Sequence, residues 1–172
     1  MMTAGQHPSM VIEMSAACRP VVVGVDGTEQ SVPALRWAAF EALQRDAELV
    51  AVHAFGSPWQ SAPYAPAQVT LSPDSAAGHA VASLDRCVRQ AFGDRPPVPV
   101  RKVCDSRRPV PALLDHGKGA ALLVLSARPD PVRGGATLGP IARDCLRNAP
   151  CPVVLLPTTA DIPVAAGVPV DA

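Results

Sequence analysis

The stretch Ala121-Leu-Leu-Val-Leu-Ser126-Ala-Arg-Pro129 decides the fold of this chain, together with Gly139-Pro140 and Pro152-Val-Val-Leu-Leu156 farther along. Both apolar runs are typical of buried strands in a parallel sheet, and the segment between them predicts a loop followed by a helix. Phosphate groups usually bind at such a strand–loop–helix junction, on backbone N–H groups at the helix N-terminus. The sequence thus indicates where a nucleotide would sit. The loop, however, has serine and proline where phosphate-binding loops prefer glycine and a hydroxyl.

The rest of the chain alternates short apolar strands with segments of helical spacing. The predicted strands are Pro20–Val25, Leu49–His53, Val98–Val103, Ala121–Leu125 and Pro152–Leu156. The first predicted helix begins near Ser31, and the others are Ser75–Phe92, Pro109–Gly117 and Gly139–Asn148. The last helix is expected to bury Ile141, Ala142, Cys145 and Leu146. Because aromatic residues make up only 3% of the chain, we expect a core of Ala, Val and Leu.

This alternation predicts an α/β, Rossmann-like fold: an open five-stranded parallel sheet, order 3-2-1-4-5, with helices on both faces. In that order the direction of strand addition reverses between strands one and four. Ligands of open α/β sheets bind beyond the carboxyl ends of the strands at such a point. Asp26 follows the first strand and Ser126 follows the fourth. We therefore expect their side chains to face each other across a crevice.

One domain, residues 19–157, is expected between two disordered ends. Residues 1–18 and 158–172 lack a periodic apolar pattern, which predicts an N-terminal arm and a C-terminal tail without fixed structure. The start codon stays open between Met1, Met2, Met10 and Met14. Residues 56–73 are rich in Pro, Ser and Ala and predict a long loop, which is typical of a lid, of a binding loop or of disorder.

The composition argues against several classes of function. Fifteen basic and fifteen acidic residues cancel in a chain of 172 residues. Binding to nucleic acid or to an anionic membrane depends on a positive field, so neither is expected as a partner. No apolar run approaches the roughly 20 residues of a membrane span. The five cysteines form no C-x-x-C pair, so no disulfide framework or zinc site is expected, and the cytoplasm is the expected location.

Both ends of the predicted domain resemble the universal stress protein family. Val21-Val-Val-Gly-Val-Asp-Gly-Thr28 and Val52-His-Ala54 are similar to its first two strands, and Leu122-Leu-Val-Leu-Ser126 and Ala149-Pro-Cys-Pro-Val-Val154 to its closing unit. The resemblance covers roughly Arg19 to Pro157. It implies a cytoplasmic α/β domain that forms a homodimer through its last strand, here Val153–Leu156. An apolar strand at a sheet edge invites such pairing in any case.

Members of this family that bind ATP share the loop G-x2-G-x9-G-[ST], which holds the phosphates. Laid on this chain without a gap, its first two glycines fall on Ser126 and Pro129. Its third glycine matches Gly139, and its hydroxyl position falls on Pro140. The resemblance also implies a place near adenine and ribose for Asp26, which matches an Asp common in these members.

These departures weaken a phosphate site. Pro129 and Pro140 each lack an N–H, and Pro140 also lacks the hydroxyl. A net hydrogen bond to a charged group contributes ~1.5–3 kcal/mol, so the loss of two weakens binding by at least ~100-fold. Arg128 and Arg133 lie in the same loop and are either phosphate clamps or solvated surface residues, and both alternatives stay open.

Other polar residues near the predicted crevice have structural alternatives. Asp26 is suited to bind a ribose or a metal, but also to form an Asx-type turn, and both stay open. We expect Thr28 to cap the first helix and His53 to be a half-buried, hydrogen-bonded histidine. Cys104 and Cys151 are expected to be small core residues rather than nucleophiles.

No enzyme motif is present in this sequence. It lacks the G-x-S-x-G nucleophile elbow, the G-x-x-x-x-G-K-[ST] phosphate loop and the G-x-G-x-x-G fingerprint. A receiver domain has a similar fold, but it needs an acidic pair after strand one, where this chain has only Asp26, and a Lys after strand five, where it has Pro157 and Thr158.

We therefore expect a non-enzymatic stress-response module. Its binding of ATP, or of another adenine nucleotide with Mg²⁺, is expected to be weak or lost, and its protein partner is unknown. The alternative is a nucleotide-binding sensor for ATP, AMP or a cyclic nucleotide. The sensor would use the crevice between strands one and four, and the candidate binding residues are Asp26, Ser126, Arg128, Arg133 and Gly139.

Overall fold

Five parallel strands form the main sheet of the computed structural model, which describes residues 18–56, 73–129 and 136–157. In chain order the elements are β1 (Val21–Gly24), α1 (Ser31–Gln44), β2 (Leu49–Ala54), α2 (Pro73–Phe92), β3 (Val100–Asp105), α3 (Pro109–His116), β4 (Leu122–Ser126), β5 (Arg128–Pro129), β6 (Ala136–Thr137), α4 (Pro140–Asn148) and β7 (Val153–Leu156). The sheet order β3-β2-β1-β4-β7 confirms the predicted order 3-2-1-4-5. The predicted arm and tail and most of the long loop lie outside the described residues.

The helices cover both faces of the sheet, as predicted. Successive side chains of a strand point to opposite faces, so Val21 and Val23 of β1 pack with α1 and α2, whereas Val22 packs with α3 and α4. The largest fully buried side chains are leucines and valines with two cysteines, and the leucines are Leu35, Leu49, Leu84 and Leu123. The predicted core of Ala, Val and Leu is confirmed.

Helix α4 buries less of its surface than the sequence predicts. Ala142 and Cys145 are buried, but Ile141 and Leu146 are 38% and 44% exposed, so the expectation that both are buried was wrong. In a helix, adjacent residues lie about 100° apart around the axis. The stripe from Ala142 to Cys145 faces the sheet, and Ile141 and Leu146 lie on its two flanks.

A small antiparallel ribbon was not predicted. In it Arg128 pairs with Thr137 and Pro129 with Ala136, so the chain leaving β4 turns back before α4 begins. None of the helices within the described ranges is long and apolar enough to cross a bilayer.

Candidate functional site

A cavity of about 300 Å³ lies at the carboxyl ends of β1 and β4, at the predicted crevice. These strands are neighbours, with Val21 opposite Leu122. The chain leaves β1 toward α1 on one face and leaves β4 toward α4 on the other, so the two connections part and leave a gap. The apolar lining comprises Gly24, Val25, Val52, Ala54, Pro109, Leu113, Leu125, Gly139, Pro140, Ile141 and Ala142.

The polar lining consists of Asp26, Gln30, Ser31 and Ser126. The structure thus brings Asp26, Ser126 and Gly139 to one cavity. Arg128 lies in β5, but its side chain is outside the described part of the structure, as is Arg133 altogether. Their roles as phosphate clamps remain predictions.

Asp26 forms an Asx-type turn at the entrance to α1. Its Oδ1 accepts hydrogen bonds from the Thr28 N–H (3.0 Å), the Thr28 hydroxyl (2.6 Å) and the Ser31 hydroxyl (2.7 Å). The Asp26 N–H in turn donates to the Ser31 hydroxyl at 3.1 Å. Residue Gln30, not Thr28, is the N-cap of α1, so the expectation that Thr28 caps this helix was wrong. The Thr28 hydroxyl instead orients the carboxylate on the cavity wall.

On the other side of the cavity, the Ser126 hydroxyl forms a hydrogen bond within the protein itself. Its hydroxyl donates to the backbone carbonyl of Gln30 at 3.1 Å and so joins the end of β4 to the start of α1. A hydroxyl has a single hydrogen to donate. In this arrangement Ser126 therefore offers a ligand an acceptor but no donor.

The start of α4 forms the end of the cavity where the family pattern places phosphates. Gly139 is its N-cap, with φ of −63°, and Pro140 follows at the first helical position. N–H groups in the first turn of a helix have no partner within that helix. Pro140 has no N–H, which leaves those of Ile141 and Ala142 as the first-turn donors on the cavity lining.

Helix α3 also lines the cavity, which the sequence pattern did not indicate. Pro109 and Leu113 line the cavity from the same face of the sheet as α4. The right-handed crossover from β3 to β4 could have indicated which face α3 covers, but not which turn of the helix reaches the crevice.

The cysteine thiols are suited to packing rather than to nucleophilic chemistry. Burial raises the pKa of the Cys104 and Cys151 thiols, and it raises the pKa of Cys145 to about 11. A thiol with a raised pKa is poorly ionised near neutral pH. Nor do the described residues contain a group of three or more His, Cys, Asp or Glu side chains that could hold a metal ion.

A charged cluster lies at the carboxyl end of β3, away from the cavity lining. The Asp105 carboxylate pairs with Arg107 at 2.7 Å and with His116 at 3.2 Å. The hydrogen bond from Arg107 holds the pKa of Asp105 far below its usual range, and the bond from His116 lowers it further. Arg107 also reaches Asp115 of α3 at 3.2 Å. This cluster joins β3 to α3.

Comparison with known proteins shows similarity to a single family over the described domain. A family model described as the Universal stress protein family matches residues 18–157. A universal stress protein of Mycobacterium tuberculosis is 30% identical over 139 residues, which cover 79% of this chain and 46% of the relative. One from Mycolicibacterium smegmatis is 29% identical over 139 residues, covering 79% and 47%. The chain spans slightly less than half the length of these curated relatives.

Solved structures share the fold at lower identity. The universal stress protein UspA from Lactobacillus plantarum superposes with a TM-score of 0.62 at 22% identity, over 82% of this chain and 99% of that one. A universal stress protein in complex with cAMP gives 0.58 at 20% identity, over 84% and 100%. A family member from Arabidopsis thaliana with AMP bound gives 0.54 at 18% identity, over 83% and 94%.

Proposed function

Since this chain belongs to the universal stress protein family, we propose that it is a non-enzymatic stress-response module whose crevice does not bind ATP tightly. Proteins of this family are generally non-enzymatic. The proposal includes a cytoplasmic location and action through a protein partner or through a small ligand other than ATP.

This proposal rests on the small number of hydrogen-bond donors available at the α4 end of the cavity, where the family loop would hold phosphates. A triphosphate needs several N–H and O–H donors, or cations, placed around it before it arrives. Here the Ser126 hydroxyl is already donated to Gln30, and Pro140 supplies neither an N–H nor a hydroxyl. Little remains to hold a β- or γ-phosphate at this end.

The second candidate function, a sensor for an adenine mononucleotide, is favoured by the open cavity. A volume of about 300 Å³ is at the lower end of the range for small-molecule sites. Asp26 lies on its wall, and the first turn of α4 offers N–H groups to one phosphate. Family members with AMP or cAMP bound share the fold, which supports the same ligand class for this chain.

Calorimetric titration of the purified protein, after removal of copurified nucleotide, separates the two functions. The titrants are ATP with Mg²⁺, AMP, cAMP and adenosine. We expect no tight ATP binding and no gain in affinity from AMP to ATP. Micromolar binding of ATP would overturn the first proposal. Loss of AMP-induced stabilisation in both Asp26→Ala and Arg133→Ala would support the sensor.

A variant that restores the family loop tests the reason for weak ATP binding. Ser126→Gly, Pro129→Gly and Pro140→Ser together recreate G-x2-G-x9-G-S. We expect ATP to bind this triple variant at least ~100-fold more tightly than the original chain, because two or more donors to charged phosphate return. Replacing Pro140 by Ala in the same variant restores the N–H without the hydroxyl and serves as the matched control. Unchanged affinity in the triple variant would show that these positions do not limit binding.

We also propose that two copies of the chain pair through β7. This strand has only β4 beside it in the described sheet, and its four residues, Val153–Leu156, carry no charge. The opposite edge strand, β3, carries Arg101 and Lys102, both exposed. Charged side chains on an edge strand oppose edge-to-edge pairing, so the difference between the edges favours β7 as the pairing edge.

A further inference from the structure

Three side chains from outside the β1–α1 loop donate hydrogen bonds to carbonyl groups of that loop. His53 contacts the carbonyl oxygen of Val25 at 2.7 Å, and Arg86 donates to that of Gly27 at 3.1 Å. The Cys87 thiol lies 3.6 Å from the carbonyl oxygen of Thr28. These carbonyls flank Asp26, the acidic residue on the cavity wall.

The hydrogen bond from His53 fixes which nitrogen of its ring carries the hydrogen. A carbonyl oxygen can only accept, so the His53 Nδ1 must carry the hydrogen. The histidine is half-buried in β2, the strand next to β1, and Val25 is 4% exposed. The bond therefore joins the loop to the rigid sheet just before Asp26.

The bond from Arg86 holds the loop just after Asp26. Gly27 has φ of +82°, and a Cβ there would lie 3.3 Å from the Cβ of Ser83 and 3.4 Å from Cε1 of His53. The loop thus passes closely between β2 and α2. Arg86 is exposed, and its guanidinium reaches over this passage to the Gly27 carbonyl.

We propose that His53 and Arg86 are positioning residues for the crevice, because they fix the loop that places Asp26 on the cavity wall. The inference rests on the proposed binding of a small ligand in this crevice. Neither residue belongs to the cavity lining. They act on a ligand through the backbone on either side of Asp26, whereas Cys87 supplies a weaker third contact from the buried face of α2.

Amide hydrogen exchange and AMP binding test this proposal together. The Asp26 N–H donates to the Ser31 hydroxyl at the start of α1, and the Thr28 N–H donates to the Asp26 carboxylate, so their exchange reports the order of the loop. We expect Arg86→Ala and His53→Leu to speed both exchanges and to lower AMP affinity about 10-fold, the equivalent of one ordinary hydrogen bond. The Val25 N–H, bonded to Val52 in the sheet, should keep its exchange rate in Arg86→Ala.

Conservative variants separate positioning from general stability. Arg86→Lys and His53→Asn each retain an N–H donor, at the place of Nδ1 in the case of asparagine, and should restore most of the loop protection and AMP affinity. The matched control is Arg89→Ala, which removes an exposed arginine three residues farther along α2 and should leave exchange and affinity unchanged. Unchanged exchange at Asp26 and Thr28 in both Arg86→Ala and His53→Leu would overturn the proposal.

The same measurements distinguish failure of the ligand function from failure of the positioning role. If the original chain binds neither AMP nor adenosine, the proposed ligand of the crevice is wrong, and faster loop exchange in the variants still supports the positioning of Asp26. If AMP binds and affinity is equal in all variants, the positioning role is wrong and the ligand site stands.

Discussion

At the scale of single residues, several polar side chains of the crevice form hydrogen bonds within the protein itself. Asp26 binds Thr28 and Ser31, and Ser126 binds the backbone of Gln30. These bonds complete the protein's own turn at the start of α1. A ligand therefore meets an Asp26 carboxylate already held in place by Thr28 and Ser31, and a Ser126 hydroxyl whose hydrogen is already donated.

Gly27→Ala is expected to destabilise the protein. A left-handed backbone conformation costs an L-residue about 1–2 kcal/mol, and the added methyl would lie 3.3 Å from the Ser83 Cβ. The matched control is Gly78→Ala in α2, where a Cβ meets nothing within 4 Å. There a helix-interior alanine should stabilise by about 0.5–1 kcal/mol. Thermal unfolding measures the stability of both variants. A melting temperature of Gly27→Ala equal to that of the original chain would contradict the strain at Gly27.

At the scale of elements, the alternation of strands and helices was readable from the sequence, but pairing and local loops were not. The third strand was predicted at Val98–Val103 and lies at Val100–Asp105, because its register follows β2, where Ala54 pairs with Asp105. The ribbon of β5 and β6 has only two residues per strand, too few for an apolar alternation. The place of the cavity was predictable, whereas the bonds of Ser126 and Arg86 depend on residues 96 and 59 positions away.

Leu155→Lys is expected to convert a homodimer into a monomer. The carbonyls of Pro152 and Leu156 accept hydrogen bonds from β4 residues or the residue just after β4, so the alternate residues Val153 and Leu155 present their backbone groups to the open edge. A lysine here would place like charges from two copies side by side. Light scattering should give twice the chain mass for the original protein and one chain mass for the variant.

The control for added charge is Leu43→Lys, which changes an exposed leucine of α1 that is 48% exposed and outside the sheet. This variant should remain dimeric. A monomeric original protein at micromolar concentration would remove the proposed pairing through β7.

At the scale of the whole molecule, helices pack on both faces of the sheet, and polar side chains at the carboxyl ends of the strands connect the sheet to these helices. Near its edge, Asp105 ties the end of β3 to α3 through Arg107 and His116, and its backbone carbonyl accepts from the Phe55 N–H at 2.9 Å. The carboxylate side chain is only 11% exposed. The stability of the fold is therefore expected to depend on whether Asp105 is ionised.

Stability is expected to fall as the pH drops below about 4, the unfolded-state pKa of an aspartate. The folded-state pKa of Asp105 lies below this value because Arg107 and His116 bind its charged form. The unfolded chain therefore takes up a proton first, and the contribution of Asp105 is present above that pH and lost below it. Urea unfolding at a series of pH values measures this loss.

Asp105→Asn should lose about 1.5–3 kcal/mol at neutral pH, the usual contribution of hydrogen bonds to a charged group. Its stability should then depend less on pH in the acid range. Asp94→Asn, at an exposed position in the turn after α2, should keep the acid sensitivity of the original chain. An identical acid profile in Asp105→Asn would exclude Asp105 as its source.

The charges on β3 would also limit the size of the assembly that we propose to form through β7. Arg101 pairs with Glu48 at 3.0 Å, and Lys102 pairs with Asp85 of α2, so the charges on that edge are paired within their own chain. Two chains that join through β7 by a twofold axis bury both apolar edges and present a β3 edge at each end. Continuous addition of chains into fibres would need a second edge able to pair. The charged side chains and ion pairs on β3 make that edge unsuitable. If the chains pair through β7 as proposed, we expect the assembly to close at two chains.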